Sequence, residues 1–127
     1  MIGRRLLRQH NTWTHNSHRL SKGKNECTLM IHPSDAKQYT IEDGAMIQVN
    51  SRVGSITVEA EITEEIMPEV VSLPQGFGAT KKSKMKIAAA QNSASINDLT
   101  DHLRVDTLTG NAALNGVRVS IKRIAFP

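Results

Sequence analysis

The sequence predicts a mainly β fold, a small barrel of six strands carrying one or two short helices. Three observations lead there. Apolar and polar residues alternate with period two through most readable segments, helix signals are brief, and aromatics make up only 3% of the chain. A core so poor in rings has to be filled by Val, Ile, Leu, Met and Ala, which suits compact strands. One-sided strands share a single core, and closing the sheet removes exposed edges. At 127 residues, 39% of them hydrophobic, the chain is sized for one domain, residues 1–127.

In chain order, residues 2–9 form a plausible first strand, and Cys27, Leu29 and Ile31 mark a second. Pro33 suits the first turn of a helix, where its missing N–H costs nothing, and Asp35 favours the positive end of the dipole. That helix should run to about Tyr39. Asp43-Gly44 turns the chain into a strand with Ala45, Ile47 and Val49 inward, and Arg52-Val53-Gly54 reverses it. In residues 54–62, Ile56, Val58, Ala60 and Ile62 take one face against Thr57, Glu59 and Glu61. Val71 and Leu73 give a shorter strand. Residues 97–103 suit a second short helix, and Ala88-Ala89-Ala90 is compatible with helix or loop. In residues 116–122, Val117, Val119 and Ile121 alternate with Arg118, Ser120 and Lys122. Residues 10–25 and 75–95 have no useful period. Loops longer than about 12–15 residues inside a compact domain are usually functional or disordered.

Charge is unevenly placed. The net value is +4, and Arg4, Arg5, Arg8, Arg19, Lys22 and Lys24 all precede the first acidic residue, Glu26. Lys81, Lys82, Lys84 and Lys86 form a second group. Such clusters are solvated faces or meet an anionic partner. A nucleic-acid module using the basic N-terminus and residues 81–86 is one alternative, and a cofactor-free β-barrel adaptor is another. Single-strand binders generally display several aromatics for stacking, and this chain has one Trp, one Tyr and two Phe. No apolar run approaches the roughly 20 residues that span a bilayer. The lone Cys27 allows no internal disulfide, so a soluble, cytoplasmic setting is expected.

No catalytic constellation assembles. His10, His15 and His18 share one loop, but their spacing matches no standard zinc pattern and no Asp or Glu lies nearby. Cys27 alternates with Leu29 and Ile31, which turns it into the core. Glu64-Glu65 sits in an expected turn, and no serine has a nucleophile-elbow context. No catalytic and no metal-ligating residue is therefore assigned. Two loops suit binding instead. Leu73-Pro74-Gln75-Gly76-Phe77-Gly78 follows a strand, and its glycines let backbone N–H groups approach a ligand closely. His10-Asn11-Thr12-Trp13-Thr14-His15-Asn16 places the only Trp among six hydrogen-bonding side chains, near Arg8 and Arg19. Amides and hydroxyls read the edges of a flat heterocycle while arginines meet phosphate. The bland alternative is a Trp13 that plugs the end of the barrel.

The order of motifs is more specific than any one of them. Gly3-Arg4-Arg5, Asn11-Thr12-Trp13-Thr14-His15-Asn16 and Ile31-His32-Pro33-Ser34-Asp35-Ala36 come first. Ile41-Glu42-Asp43-Gly44, Ser51-Arg52-Val53-Gly54, Met67-Pro68-Glu69-Val70-Val71-Ser72-Leu73-Pro74 and Ser95-Ile96-Asn97-Asp98-Leu99-Thr100 follow. Together they resemble the C-terminal molybdopterin-dinucleotide-binding domain of the dimethyl-sulfoxide-reductase family, which includes formate dehydrogenases and nitrate reductases. The resemblance covers nearly the whole chain. It implies a double-psi β-barrel of the aspartate-decarboxylase-like kind, gripping molybdopterin guanine dinucleotide through loops at one rim.

The residues so implied are His10, Asn11, Thr12, Trp13, Thr14, His15, Asn16, Gln75, Gly76 and Asn97. Asn11, Asn16, Gln75 and Asn97 would pair with heterocycle edges, and amides near Gly76 would meet pyrophosphate, assisted by Thr12 and Thr14. The chain departs from the family pattern at Glu69, where relatives often carry the Gly of a Pro-Gly pair. It departs again at Gln75 and Ala79, where His is common. Mo or W would be held by the pterin and by other domains. The implied partner is the catalytic remainder, or a large subunit, of a formate-dehydrogenase-like oxidoreductase, without which no turnover is expected.

Overall fold

Six alternating segments become six strands in the computed structural model, which describes residues 1–8, 10–79, 82–91 and 93–124. They are β1 (Ile2–Arg4), β2 (Thr28–Ile31), β3 (Met46–Asn50), β4 (Ser55–Ile62), β5 (Val71–Pro74) and β6 (Ser120–Arg123). Two short α-helices, α1 (Pro33–Gln38) and α2 (Lys86–Ala89), and two 3-10 turns, His10–Thr12 and Ile96–Leu99, complete the described elements. The strands form one sheet in the order β1-β5-β2-β4-β3-β6. β1 runs parallel to β5 and β2 parallel to β4, while the β2–β5, β3–β4 and β3–β6 pairs are antiparallel.

The period-two pattern dictates which face is buried. Ile56, Val58 and Ala60 of β4, Ile47 and Val49 of β3, and Leu29 and Ile31 of β2 all turn inward, with Ile62 and Ile121 packed against them. Leu29, Ile31, Ile47, Val49, Leu73 and Leu99 have no exposed surface. Each such side chain contributes about 1.5–3 kcal/mol by leaving water. Leu99 belongs to the 3-10 turn, so the core itself docks that turn onto β4. Cys27 is buried as expected.

The expected closed barrel is corrected: the sheet is open, with β1 and β6 as its edges. Next to these edges, Met1 and Val117 exchange two backbone hydrogen bonds of 2.7 and 3.2 Å, and the Gly3 N–H donates to Asn115 Oδ1 at 2.8 Å. Alternation names the inward face of a strand. It does not say how long two strands keep a common ladder, and β1 is three residues long. The expected 2–9 strand stops at Arg4, and Gln9 lies outside the described residues. β5 is a second departure, because Val71, Ser72, Leu73 and Pro74 are all buried. A strand enclosed on both faces shows no useful alternation.

Local signals explain the connections. The β3–β4 reversal is held by the Ser51 hydroxyl, which accepts from the N–H groups of Val53 and Gly54 at 3.2 Å each. α1 opens with Pro33, and His32 Nδ1 accepts from the Ser34 N–H at 3.2 Å. The helix ends at Gln38 with Tyr39 as its C-cap, close to the expected limit. The expected 97–103 helix is only the 3-10 turn Ile96–Leu99. Asp101 ends it by turning toward Arg52 and accepting from the Leu103 N–H.

Glu69 occupies a position that favours glycine. Its φ is 65°, and its N–H donates to the buried carboxylate of Asp35 at 2.7 Å. A left-handed conformation strains any residue with a Cβ, so Glu69→Gly is expected to stabilise the fold. The gain is about 0.5–1 kcal/mol after the extra freedom of an unfolded glycine is subtracted. Thermal unfolding by circular dichroism should read a rise of roughly 2–5 °C.

Candidate functional site

The first loop is held in an unusual shape. His10, Asn11 and Thr12 take successive positive φ angles of 35, 56 and 108°. Asn tolerates this region and β-branched Thr does not, so neighbouring bonds must hold the loop. Arg5 Nη1 donates to Asn11 Oδ1 at 3.0 Å, the Trp13 N–H donates to the His10 carbonyl at 3.2 Å, and the Thr14 hydroxyl donates to the Arg8 carbonyl. The His15 ring packs on Phe77 with centroids 4.3 Å apart, tying this loop to the glycine loop. Burial pushes the His15 imidazole below its usual range, against a bond to the Gly76 backbone that pulls the other way. Asn16 Oδ1 accepts from the N–H groups of Ile87 and Ala88 at 3.1 and 3.4 Å, so it caps α2.

The second loop leaves β5 with the Gln75 N–H donating to the Arg4 carbonyl at 2.9 Å. Gly78 then approaches the segment before the Ile96–Leu99 turn so closely that a Cβ there would lie 2.6 Å from Ser95 Cβ. Ser95 is the N-cap of that turn, its hydroxyl accepting from the Asn97 N–H at 3.2 Å. These contacts bring three distant parts of the chain to one place. Asn11 and Thr12, Gln75 and Gly76, and Asn97 line a single cleft of about 230 Å³.

Five of the ten expected residues therefore meet, and five do not line that cleft. His10, Trp13 and Asn16 are exposed, and Trp13 at 87% exposure does not plug the barrel. Thr14 is spent on the Arg8 carbonyl. His15 lines a neighbouring cavity of about 140 Å³ with Arg8, Lys22, Lys24 and Phe77. The cleft also contains Phe77, Ile96, Thr100 and Leu114, which sequence reasoning missed. Thr100 carried a signal, since it lies three residues from Asn97 and its hydroxyl donates to the Asn97 carbonyl at 3.0 Å. Leu114 carried none, because it arrives from a remote segment. A larger cavity of about 600 Å³, beside α1 and residues 116–121, holds none of the expected residues.

Asp101 secures the far end of the Asn97 turn. Arg52 Nε and Nη2 donate to its two oxygens at 2.5 and 2.6 Å, a forked pair. That pair, with the Leu103 N–H, holds the Asp101 carboxyl down to about 2, from an ordinary value of 3.8. Because the folded value is depressed, the stability it gives is complete above the ordinary carboxylate value and disappears as pH falls through about 2. Asp101→Asn should accordingly flatten the acid limb of a stability–pH curve in that window, measured by urea midpoints. An unchanged limb would show that Asp101 has no part in it.

Among the described residues, no group of three or more His, Cys, Asp or Glu is placed to hold a metal, and no helix is long and apolar enough to cross a membrane. Lys81 lies outside the described residues.

The result is a mainly β sheet whose loops gather amides and hydroxyls at one cleft. Comparisons with known proteins identify the family. The family model described as "Molydopterin dinucleotide binding domain" matches residues 1–118, and the chain belongs to that family. It is 32% identical over 117 residues to the arsenate respiratory reductase molybdopterin-containing subunit ArrA of Chrysiogenes arsenatis, which covers 87% of this chain and 14% of the relative. It is 41% identical over 76 residues to the F420-dependent formate dehydrogenase subunit alpha of Methanocaldococcus jannaschii, covering 59% of this chain and 11% of the relative. Acetylene hydratase from Pelobacter acetylenicus shares the fold, with a TM-score of 0.74 at 14% identity over 98% of this chain and 18% of that one. The chain thus spans less than a fifth of each of these proteins. The family's cofactor is molybdopterin guanine dinucleotide, and the adaptor and nucleic-acid alternatives are not favoured.

Proposed function

We propose that this chain is the cofactor-clasping domain of a larger, formate-dehydrogenase-like Mo or W oxidoreductase, whose remaining polypeptide supplies the metal ligand and the substrate pocket. The single observation that carries the reading is the convergence of Asn11, Thr12, Gln75, Gly76 and Asn97 on one cleft. The donor set suits the ligand. Three carboxamides and a hydroxyl present both donors and acceptors to a pterin or guanine edge, and no carboxylate faces them. Bound there, the cofactor would supply metal-centred redox chemistry, while these residues orient it and exclude water. The double-psi arrangement belongs to the same proposal. The two parallel pairings and the Met1–Val117 bridge support it.

Titration with guanosine and with a simple pterin tests the reading, followed by Trp13 fluorescence and by the amide shifts of Asn11, Gln75 and Asn97. Saturable shifts confined to these loops, lost in Asn97→Ala, are expected. No perturbation at millimolar ligand would overturn it.

A further inference from the structure

The cavity of about 600 Å³ shares no lining residue with the cofactor cleft, and it lies where the sheet is open. Met1 and Val71, at the start of the β1–β5 ladder, form one wall. Residues 117–121, leading into β6, form another, and α1 contributes a third. A ladder across this gap has already begun. Met1 and Val117 each donate a backbone N–H to the other's carbonyl, and two residues along the Gly3 N–H reaches Asn115 through its side-chain Oδ1. Both contacts fit one antiparallel register. In such pairing every second residue turns its N–H and C=O toward the same side. After Val117 these residues are Val119 and Ile121, whereas the Ile124 N–H turns the other way and donates to Met46 at 3.2 Å. The opposite wall therefore continues the template past Met1, along residues 118–121. Side chains repeat the pattern. Val119 and Ile121 pack against the core yet are only partly buried, and Arg118 and Ser120 are exposed. A half-covered apolar row on a sheet edge is a template for another strand.

We infer that this seam takes an extended strand from the remainder of the larger oxidoreductase, lying in line with β1 and joining β5 to β6. The identity of the occupant rests on the function proposed above, and the chain covers only 14% and 11% of two relatives, which leaves ample polypeptide to supply it. The register sets its chemistry: aliphatic side chains facing Val119 and Ile121, and polar ones outside, a carboxylate opposite Arg118. Strand addition draws affinity from main-chain hydrogen bonds and specificity from alternate side chains. The Met1 amine agrees with a strand in this line. It donates to the Val117 carbonyl as a buried ammonium, and burial pulls it below its usual range. A peptide N–H makes the same bond with no charge to desolvate.

Two extensions placed ahead of Met1 in the full chain test the seam. Val-Thr-Val-Glu sets its valines opposite Val119 and Ile121 and its glutamate opposite Arg118. Thr-Val-Glu-Val has the same composition, slipped by one residue, which turns the valines outward. In the first, amide hydrogen exchange at Val119 and Ile121 should slow at least about tenfold relative to the parent chain. The Ile124 amide, already bonded to Met46, should be unchanged. The slipped extension should protect neither residue.

Exchange at Val119 and Ile121 as fast as in the parent chain, or equal protection by both extensions, would overturn the inference. So would a parent chain that sediments as a dimer with both amides already protected, since a second copy would then fill the seam. Guanosine titration of the same samples reads the cofactor cleft separately. Guanosine binding without seam protection leaves the proposed function standing, whereas protection without guanosine binding overturns the cleft and keeps the strand site.

Discussion

Replacing Gly54 with alanine is expected to destabilise the chain by about 2–3 kcal/mol, near the upper end for overpacking. A Cβ built on Gly54 would sit 2.1 Å from the carbonyl oxygen of Asp98. That neighbour is backbone, so no rotamer change relieves the clash; the Ile96–Leu99 turn itself has to move. The turn is docked by Leu99, which has no exposed surface, and lifting it opens the core. Thermal midpoints should fall by roughly 8–15 °C. The loss should extend to binding, because Asn97 rides on the same turn and a site misplaced by about 1 Å loses much of its affinity. Gly110→Ala is the control. Its φ is 72° with open space around the Cβ, so only left-handed strain of about 1 kcal/mol is expected. Equal melting temperatures for the two variants would refute the steric account.

Arg4→Met should cost about 2–4 kcal/mol, read by urea unfolding, and the reason is hydrogen bonding more than charge pairing. Arg4 lies on β1 and reaches across β5. Its Nη1 donates to the Ser72 carbonyl at 2.5 Å, and its Nη2 donates to the Thr28 carbonyl and hydroxyl at 2.8 and 3.0 Å. Methionine keeps the apolar stem and strands those acceptors beneath it. The ion pair with Glu61 is long, 3.9 Å, and Glu61 is a third exposed, so it contributes at most about 1 kcal/mol. The Thr28 hydroxyl, however, donates onward to Glu61, making the three residues a chain. A double-mutant cycle with Glu61→Gln decides between the two accounts. A coupling below about 1 kcal/mol fits the carbonyl contacts, whereas a larger one would put the ion pair first. Arg4→Lys should rescue little, since a point charge cannot fork to two strands.

Much of this architecture was legible because the core is aliphatic and the exposed face is polar. Ile56, Val58 and Ala60 declare their face in the sequence alone, and Pro33 and Asp35 declare a helix start. What was illegible depends on neighbours that sequence cannot place. β5 gave a weak signal because Ser72 is buried against Arg4, which turns a polar residue into an interior one. Sheet closure was overcalled, since alternation in residues 116–122 is real and yet Val117 pairs with Met1 while Ser120–Arg123 pair with β3. At the site, the carboxamides Asn11, Gln75 and Asn97 were readable from their motifs. Asn16 stands apart from the cleft because its side chain is drawn to α2, which the Ala88–Ala90 run left open between helix and loop. The basic residues Arg8, Lys22 and Lys24 stand out as a group in the sequence, but the cavity they share was not legible because the loop between Arg8 and Lys22 has no period.

The mixed strand order has a consequence for how the chain must be assembled during synthesis. The opening strand finds its ladder partner only when Pro74 is available to meet Arg4, and Val117 comes later still. Until then the guanidinium of Arg4 lacks its Ser72 acceptor, and the apolar edge of β5 is unmade. Such long waits expose nascent chains to misassociation. A ribosome pausing before residue 74 would hold out an unfinished, protease-sensitive product, whatever the final stability of the domain.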